Sequence, residues 1–247
     1  MATGLADMHC HLELFEDPRV IAKQCEAQKL RVFAVTASPR SWRKFGKMIE
    51  GVDGIRPGLG LHPQLGNALD QELSLFENLL PESRYVGEVG LDGSDEFASS
   101  QQSQVRAFER VLRMSSEHGN KVLSVHSVRT ARVVLDLLER AFDFERSRVI
   151  LHWFTGSQEL VRRAAALGCY FSVNAQMLRS ENGRSVTRSI PLPRLLTETD
   201  GPFVLENGRP ATPVTVPKVV AALAALRGVE RSELEQHLAD NLRTIVT

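Results

Sequence analysis

Short apolar runs rich in β-branched residues alternate along the chain with longer stretches whose apolar residues return every three or four positions. The first kind reads as buried strands and the second as amphipathic helices. Strand signals fall at residues 5–10, 31–36, 55–61, 85–89, 121–127, 148–154, 169–174 and 195–200. Helical patterns at 18–29, 39–49, 71–80, 102–118, 130–141 and 158–167 separate most of them. The clearest helix is 102–118, where Val105, Phe108, Val111 and Leu112 share a face and Gly119 stops the run. Near the end, Ser232-x-x-Glu235 predicts a capping box for a last helix carrying Leu234, Leu238, Leu242 and Ile245. The polar, Arg-rich stretch 177–194 predicts a long loop or short helix over the active face.

Strands alternating with helices predict an α/β fold with a parallel sheet. Eight is the number that closes such a sheet into a (β/α)8 TIM barrel, here as a single domain over 1–247. An open doubly wound sheet is the alternative.

Metal-capable side chains recur at the carboxyl ends of these strands. His9 and His11, two apart, end the first, Glu88 the fourth, His126 the fifth, His152 the sixth and Asp200 the eighth. In a barrel those ends converge on one face, where such enzymes place their active sites. Taken singly, each has a plain reading, such as a satisfied loop histidine or a helix cap. Their common position relative to the strands favours a shared site. Imidazoles mixed with carboxylates suit borderline divalent ions such as zinc or manganese, and magnesium less ideally. Glu88 lies between the other ligands in strand order and is the natural bridge between two ions. Asp200 could bind one ion while accepting a proton from attacking water. Glu88 and Asp200 are therefore the candidate catalytic groups.

Composition narrows the partners. With 30 basic and 30 acidic side chains the formal net charge is zero, unlike a protein that coats duplex DNA. Three cysteines (Cys10, Cys25, Cys169), none in C-x-x-C spacing, point to a reducing, cytoplasmic setting. Residues 1–8 show no secretory signal, and the longest apolar run, 219–226, is too short to cross a membrane.

Six motifs occur in register: Asp7-Met-His-Cys-His11-Leu, Gly60-Leu-His62-Pro63, Gly87-Glu88-Val-Gly90-Leu91-Asp92, His126-Ser, His152-x-Phe-Thr-Gly156 and Glu198-Thr-Asp200-x-Pro202. Together, over about residues 5–203, the chain resembles the TatD family of metal-dependent deoxyribonucleases. The resemblance implies an amidohydrolase-like barrel that cuts DNA, often from a 3′ end, with magnesium or manganese supporting activity. It implies that His9, His11, Glu88 and Asp200 hold one ion, that Glu88, His126 and His152 hold the other, and that His62 lies near the substrate phosphate. The sequence departs from the common pattern at Gly93-Ser94 and at 207–213, where only Arg209 can replace the usual substrate contact. With His126-Ser-Val-Arg129, these departures resemble a branch associated with Qat-type anti-phage defence operons, whose components would be protein partners.

Basic residues gather after the strands: Arg40, Arg43 and Lys44, then Arg129 and Arg132, then Arg179, Arg184 and Arg188, then Arg209. As a group they predict a phosphate-lined mouth around a single-stranded or frayed DNA end. Trp42 is the candidate for stacking on an unpaired base, ahead of Phe154 and Phe203. Two other functions stay open. One is an amidohydrolase-like enzyme cleaving a small ester, lactone or amide, although Lys121 begins its strand and so is badly placed to bridge ions. The other is a metal-stabilised, non-catalytic component of a defence complex, with the apolar 219–226 segment as a contact.

Overall fold

The computed structural model describes residues 4–246; residues 1–3, part of the segment read for a secretory signal, and Thr247 lie outside them. Eight strands run in parallel: β1 (Ala6–Cys10), β2 (Arg31–Ala34), β3 (Ile55–Pro57), β4 (Tyr85–Gly90), β5 (Val122–His126), β6 (Arg148–His152), β7 (Tyr170–Val173) and β8 (Leu195–Thr197). They form two arcs, β1-β2-β3 and β4-β5-β6-β7-β8. Backbone bonds at both seams close the arcs into a (β/α)8 barrel. Leu59 N donates to Tyr85 O (2.8 Å) and Gly87 N to Leu59 O (2.9 Å) at one seam. At the other, Asp200 N donates to His9 O (2.9 Å) and His11 N to Gly201 O (2.8 Å). The regular third strand is shorter than the expected 55–61, because after Gly58 N donates to Ala34 O the chain turns its backbone bonds from β2 to β4.

An outer ring of helices follows the strands: α1 (Pro18–Ala27), α2 (Pro39–Met48), α3 (Leu69–Leu79), α4 (Gln101–His118), α5 (Ala131–Ala141), α6 (Gln158–Leu167), α7 (Glu181–Ser189) and α8 (Val216–Arg227). Several start where the sequence supplies a cap. Asp17 accepts from Val20 N, Ser38 from Ser41 N and Ser157 from Leu160 N, with proline at the first helical position of α1 and α2. Half of the stretch 177–194 is α7, packed between α6 and α8 in the ring, and so is not a cover for the active face. In α8, Val219, Val220, Leu223 and Ala224 are buried, which leaves mainly alanines outward from this apolar segment.

The last helix, α9 (Arg231–Val246), begins one residue before Ser232. Ser232 is inside the helix, so the expected capping box does not form; Arg231 instead pairs with Glu235 at 2.8 Å. Leu242 and Ile245 of α9 close the lower end of the barrel, packing with Ala6, Met8, Phe33, Val35, Val122, Ile150, Tyr170 and Leu196. Above this apolar floor the inward positions turn polar, with Ser124, Ser172 and Glu198 all buried.

Two bulges re-aim the strands that carry chemistry. One extra residue lies in β1 between Asp7 and Cys10, and one in β4 between Val86 and Val89. A bulge breaks the two-residue alternation, so Met8 and His9 can both serve the interior. The same holds for Gly87 and Glu88. Gly87 faces Ser124, Val35 and Phe33, where an added Cβ would approach to 3.0–3.3 Å. Only a residue without a side chain leaves that layer filled without strain.

Truncating the barrel plug by Leu242→Ala is expected to cost about 2–5 kcal/mol of stability. Thermal unfolding checks this, and an unchanged midpoint contradicts the role of α9.

Candidate metal centre

The strand ends converge on one buried carboxylate. Glu88 is 1% exposed, and each of its oxygens faces its own set of imidazoles. Oε2 lies 3.0 Å from His11 Nε2, 3.1 Å from His62 Nε2 and 3.4 Å from His9 Nε2. Oε1 lies 2.6 Å from His126 Nδ1 and 2.9 Å from His152 Nε2. Asp200 Oδ1 closes the first set, 3.6 Å from His9 Nε2 and 4.0 Å from His11 Nε2. The His9 and His152 rings stack at 3.7 Å, which locks the two sets against each other.

Burial sets the charge states. It opposes charge on Glu88, but the surrounding imidazoles outweigh it and hold the carboxyl well below its usual range. Burial also depresses His9 and His11, leaving neutral rings with lone pairs to give. For His152 and His126 burial acts the same way but loses to Glu88, with Glu198 and Asp92 adding to the rise. Asp200 is raised well above an ordinary carboxyl by burial and by Glu198, Glu88 and Asp7, against His152.

The donors suit a metal better than they suit one another. His9 Nε2 and His11 Nε2 face each other at 3.3 Å, and buried His11 Nδ1 and His152 Nδ1 have no hydrogen-bond partner among the described residues. One carboxylate cannot pair with five rings, so nitrogen donors are in excess. His9, His11 and Glu88 offer ligand atoms within 4.8 Å of one another, as do His62, Glu88 and His126, and His9, His152 and Glu198.

A further shell orients these groups. His9 Nδ1 meets Ser124 Oγ at 2.7 Å, and His126 Nε2 meets Asp92 Oδ2 at 3.0 Å. Asp92 also accepts from Gln64 Nε2 (2.9 Å) and from the Ser94 amide (2.8 Å) and hydroxyl. Burial opposes its charge, yet these bonds hold its carboxyl below the usual range. Glu198 accepts from the Ser172 hydroxyl and from Asn174 Nδ2 at 2.8 Å, and lies 3.8 Å from His152 Nδ1. Asp7 accepts from His9 N, Thr199 N and the Thr199 hydroxyl, tying β1 to the segment after β8. Its burial pushes the carboxyl up to about 7.

Sequence reasoning passed over Asp92 and Glu198 as site members, although both stand in quoted motifs. Strand alternation was the available signal for Glu198, which precedes Asp200 by two.

The expected substrate residues divide. His62 lines the cavity but also engages Glu88 directly. Its Nδ1 accepts from Gln64 N at 3.1 Å, so Nε2 carries the proton and donates to Glu88. Arg129 lines the same cavity of about 430 Å³. Trp42 does not: its ring packs on the core and its Nε1 donates to Pro57 O at 3.2 Å. Base stacking by Trp42 is therefore corrected. The aromatic at the mouth is Phe203, 60% exposed and edge-to-face with His11 at 5.2 Å, with Trp153 beside it. Phe154 is buried. Arg209 is exposed in the hairpin of β9 (Leu205–Glu206) and β10 (Arg209–Pro210) and does not line the cavity. Of the expected ring of arginines only Arg129 lines the cavity, its Nη1 3.4 Å from Asp95 Oδ1; Arg40 pairs with Glu72 (2.7 Å) and Arg184 with Glu181 (2.6 Å).

Three non-glycine residues at this cavity take left-handed backbone: Arg129 (φ 55°), Trp153 (φ 38°) and Asp200 (φ 50°). Such conformations cost about 1–3 kcal/mol each and persist where surrounding contacts over-determine them.

The sequence pattern of the TatD related DNase family matches residues 6–247. The chain belongs to this family. Among its TatD relatives, Deoxyribonuclease TATDN3 of Homo sapiens is 28% identical over 217 residues, covering 81% of this chain and 78% of that protein. The 3′-5′ ssDNA/RNA exonuclease TatD of Klebsiella pneumoniae is 29% identical over 212 residues, covering 81% and 80%. The crystal structure of YjjV, a TatD homolog from Escherichia coli K12, superposes with a TM-score of 0.88 at 26% identity, covering 99% of this chain and 98% of that one.

Asp92→Asn is expected to weaken divalent-ion binding about 10–100-fold, with the melting profile of the metal-free protein little changed. Calorimetric titration with manganese measures it. Unchanged affinity contradicts the positioning of His126 by Asp92.

Proposed function

We propose that this TatD protein is a metal-dependent deoxyribonuclease that trims single-stranded or frayed DNA ends in the 3′ to 5′ direction. The observation that carries the reading is the division of Glu88, whose two oxygens face two separate sets of donors. His9, His11, Glu88 and Asp200 would hold one divalent ion, and Glu88, His126 and His152 the other. Magnesium or manganese would support activity, and zinc fits as a bound ion. Bound there, such ions acidify water and neutralise charge growing on phosphoryl oxygens. The Klebsiella relative's described action on single-stranded nucleic acid supports the substrate class and polarity.

The chain's own groups supply the rest. Asp200, made more basic by burial and by neighbouring carboxylates, is the group to take the proton of attacking water, at the carboxylate oxygen not turned toward His9 and His11. His62 Nε2 donates to Glu88 and fixes its rotamer. Arg129 at the mouth can fork onto a phosphate, and Phe203 presents an exposed face for the terminal base. A cavity of about 430 Å³ is of a size for one nucleotide at a strand end.

The lactonase-like alternative needs a bridging carbamylated lysine. Lys121 is committed elsewhere, donating to Leu80 O and Ser83 O at 2.7 Å each. From the departures at Gly93-Ser94 and 207–213 we infer a role in a Qat-type anti-phage defence system with other components as partners, and from the three free cysteines a cytoplasmic setting. Among the described residues no helix is long and apolar enough to cross a membrane.

With magnesium or manganese, oligonucleotides labelled at the 5′ end should give a descending ladder, with single strands cut faster than blunt duplex. Asp200→Asn should lower the rate by at least about 100-fold, the lower range of general-base contributions. No cleavage with any ion, although the ions bind, would overturn the nuclease reading. A ladder seen only with 3′-labelled substrate would reverse the polarity. Phe203→Ala should raise KM for single strands about fivefold or more, the low end of one base stack. Its rate on a small phosphodiester should be unchanged, and a loss on both would contradict the stacking role.

A further inference from the structure

The barrel carries a second cavity at the opposite end from the histidines, about 490 Å³ in volume. Three arginines line it: Arg31 at the start of β2, Arg56 in β3 and Arg84 just before β4. Its apolar wall is Met8, Phe33, Tyr85, Leu242 and Val246, and its one carboxylate is Asp53.

Many arginines of this chain answer their charge with a carboxylate. Arg40, Arg110, Arg163 and Arg231 each lie within 2.5–2.8 Å of a carboxylate oxygen. Among the described residues no carboxylate, Asp53 included, comes within 4.0 Å of Arg31, Arg56 or Arg84. Arg56 Nη1 donates to Ile55 O (3.1 Å) and Arg84 Nη2 to Ile245 O (3.4 Å), while buried Arg84 Nε has no partner. Three like charges around one carboxylate repel one another, and an orphaned guanidinium N–H is costly. An anion seated among them relieves both penalties, and guanidinium geometry matches a phosphate.

The aromatic wall says what the phosphate is attached to. Half-buried Tyr85 presents its ring beside the arginines, backed edge-to-face at 5.3 Å by the buried Phe33, and a planar ring packs well on an open aromatic face. We propose that this lower cavity is a binding site for a nucleoside monophosphate, its phosphate held by Arg31, Arg56 and Arg84 and its base against Tyr85. The volume fits a small ligand of that kind. The site is independent of the metal centre, so it stands or falls apart from the nuclease reading.

Calorimetric titration of the full chain in excess EDTA tests it, with dAMP, deoxyadenosine and inorganic phosphate as probes. dAMP should bind about tenfold tighter than phosphate or more, the worth of one base stack, and deoxyadenosine should not bind measurably. In the double variant Arg31→Gln/Arg56→Gln, dAMP affinity should fall about tenfold or more, as expected for lost charged hydrogen bonds. Glu88→Gln, altered at the other end of the barrel, should bind dAMP like the parent protein. No binding of dAMP, equal binding by the arginine variant, or phosphate binding as tightly as dAMP would each overturn the proposal.

Discussion

A carboxylate 1% exposed inside a barrel is tolerable only if its charge is answered from every side. Glu88 meets that demand with five imidazoles drawn from β1, β5, β6 and the segments after β1 and β3. The rest of the molecule follows from bringing them there. Closure of the barrel puts β1 beside β8, so that His9 and Asp200 meet although they are far apart in sequence. The bulges in β1 and β4 then turn His9 and Glu88 inward from strands whose simple alternation would have pointed one of them out.

The interior is graded along the barrel axis. An apolar floor sealed by α9 gives way to a hydroxyl and carboxylate layer of Ser124, Ser172 and Glu198, and then to the imidazoles. The floor supplies stability, the middle layer orients rings through single hydrogen bonds, and the top carries the chemistry. Left-handed backbone at Arg129, Trp153 and Asp200 belongs to the top layer alone among these. Conformational cost is concentrated where side chains must project into a shared space.

Much of this was legible in the sequence because buried strands tolerate few polar residues, and those few stand out. His126 and His152 end apolar runs, and Glu88 lies within Tyr85-Val-Gly-Glu-Val89, so their common placement could be read without a structure. What could not be read depends on pairing across long separations. Arg40 looks like a phosphate contact until Glu72 is seen beside it, 32 positions away. Trp42 looks like a stacking platform because periodicity does not say which face of a short helix meets the core; its bond to Pro57 O decides that. Likewise α9 announces an apolar face, but not that the face plugs the barrel's lower end. Ser232 shows that a capping motif is a statement about position as well as composition, since a two-residue offset from the cap removes it.

The central claim is that Glu88 bridges two ions. Electron paramagnetic resonance of the manganese-loaded protein tests it most directly, because ions about 3.5–4 Å apart through a carboxylate are exchange-coupled. The bridge predicts a coupled two-ion spectrum in the parent protein and only isolated, weakly bound ions in Glu88→Gln. A spectrum of isolated ions at full loading of the parent, or coupling that survives Glu88→Gln, would contradict it.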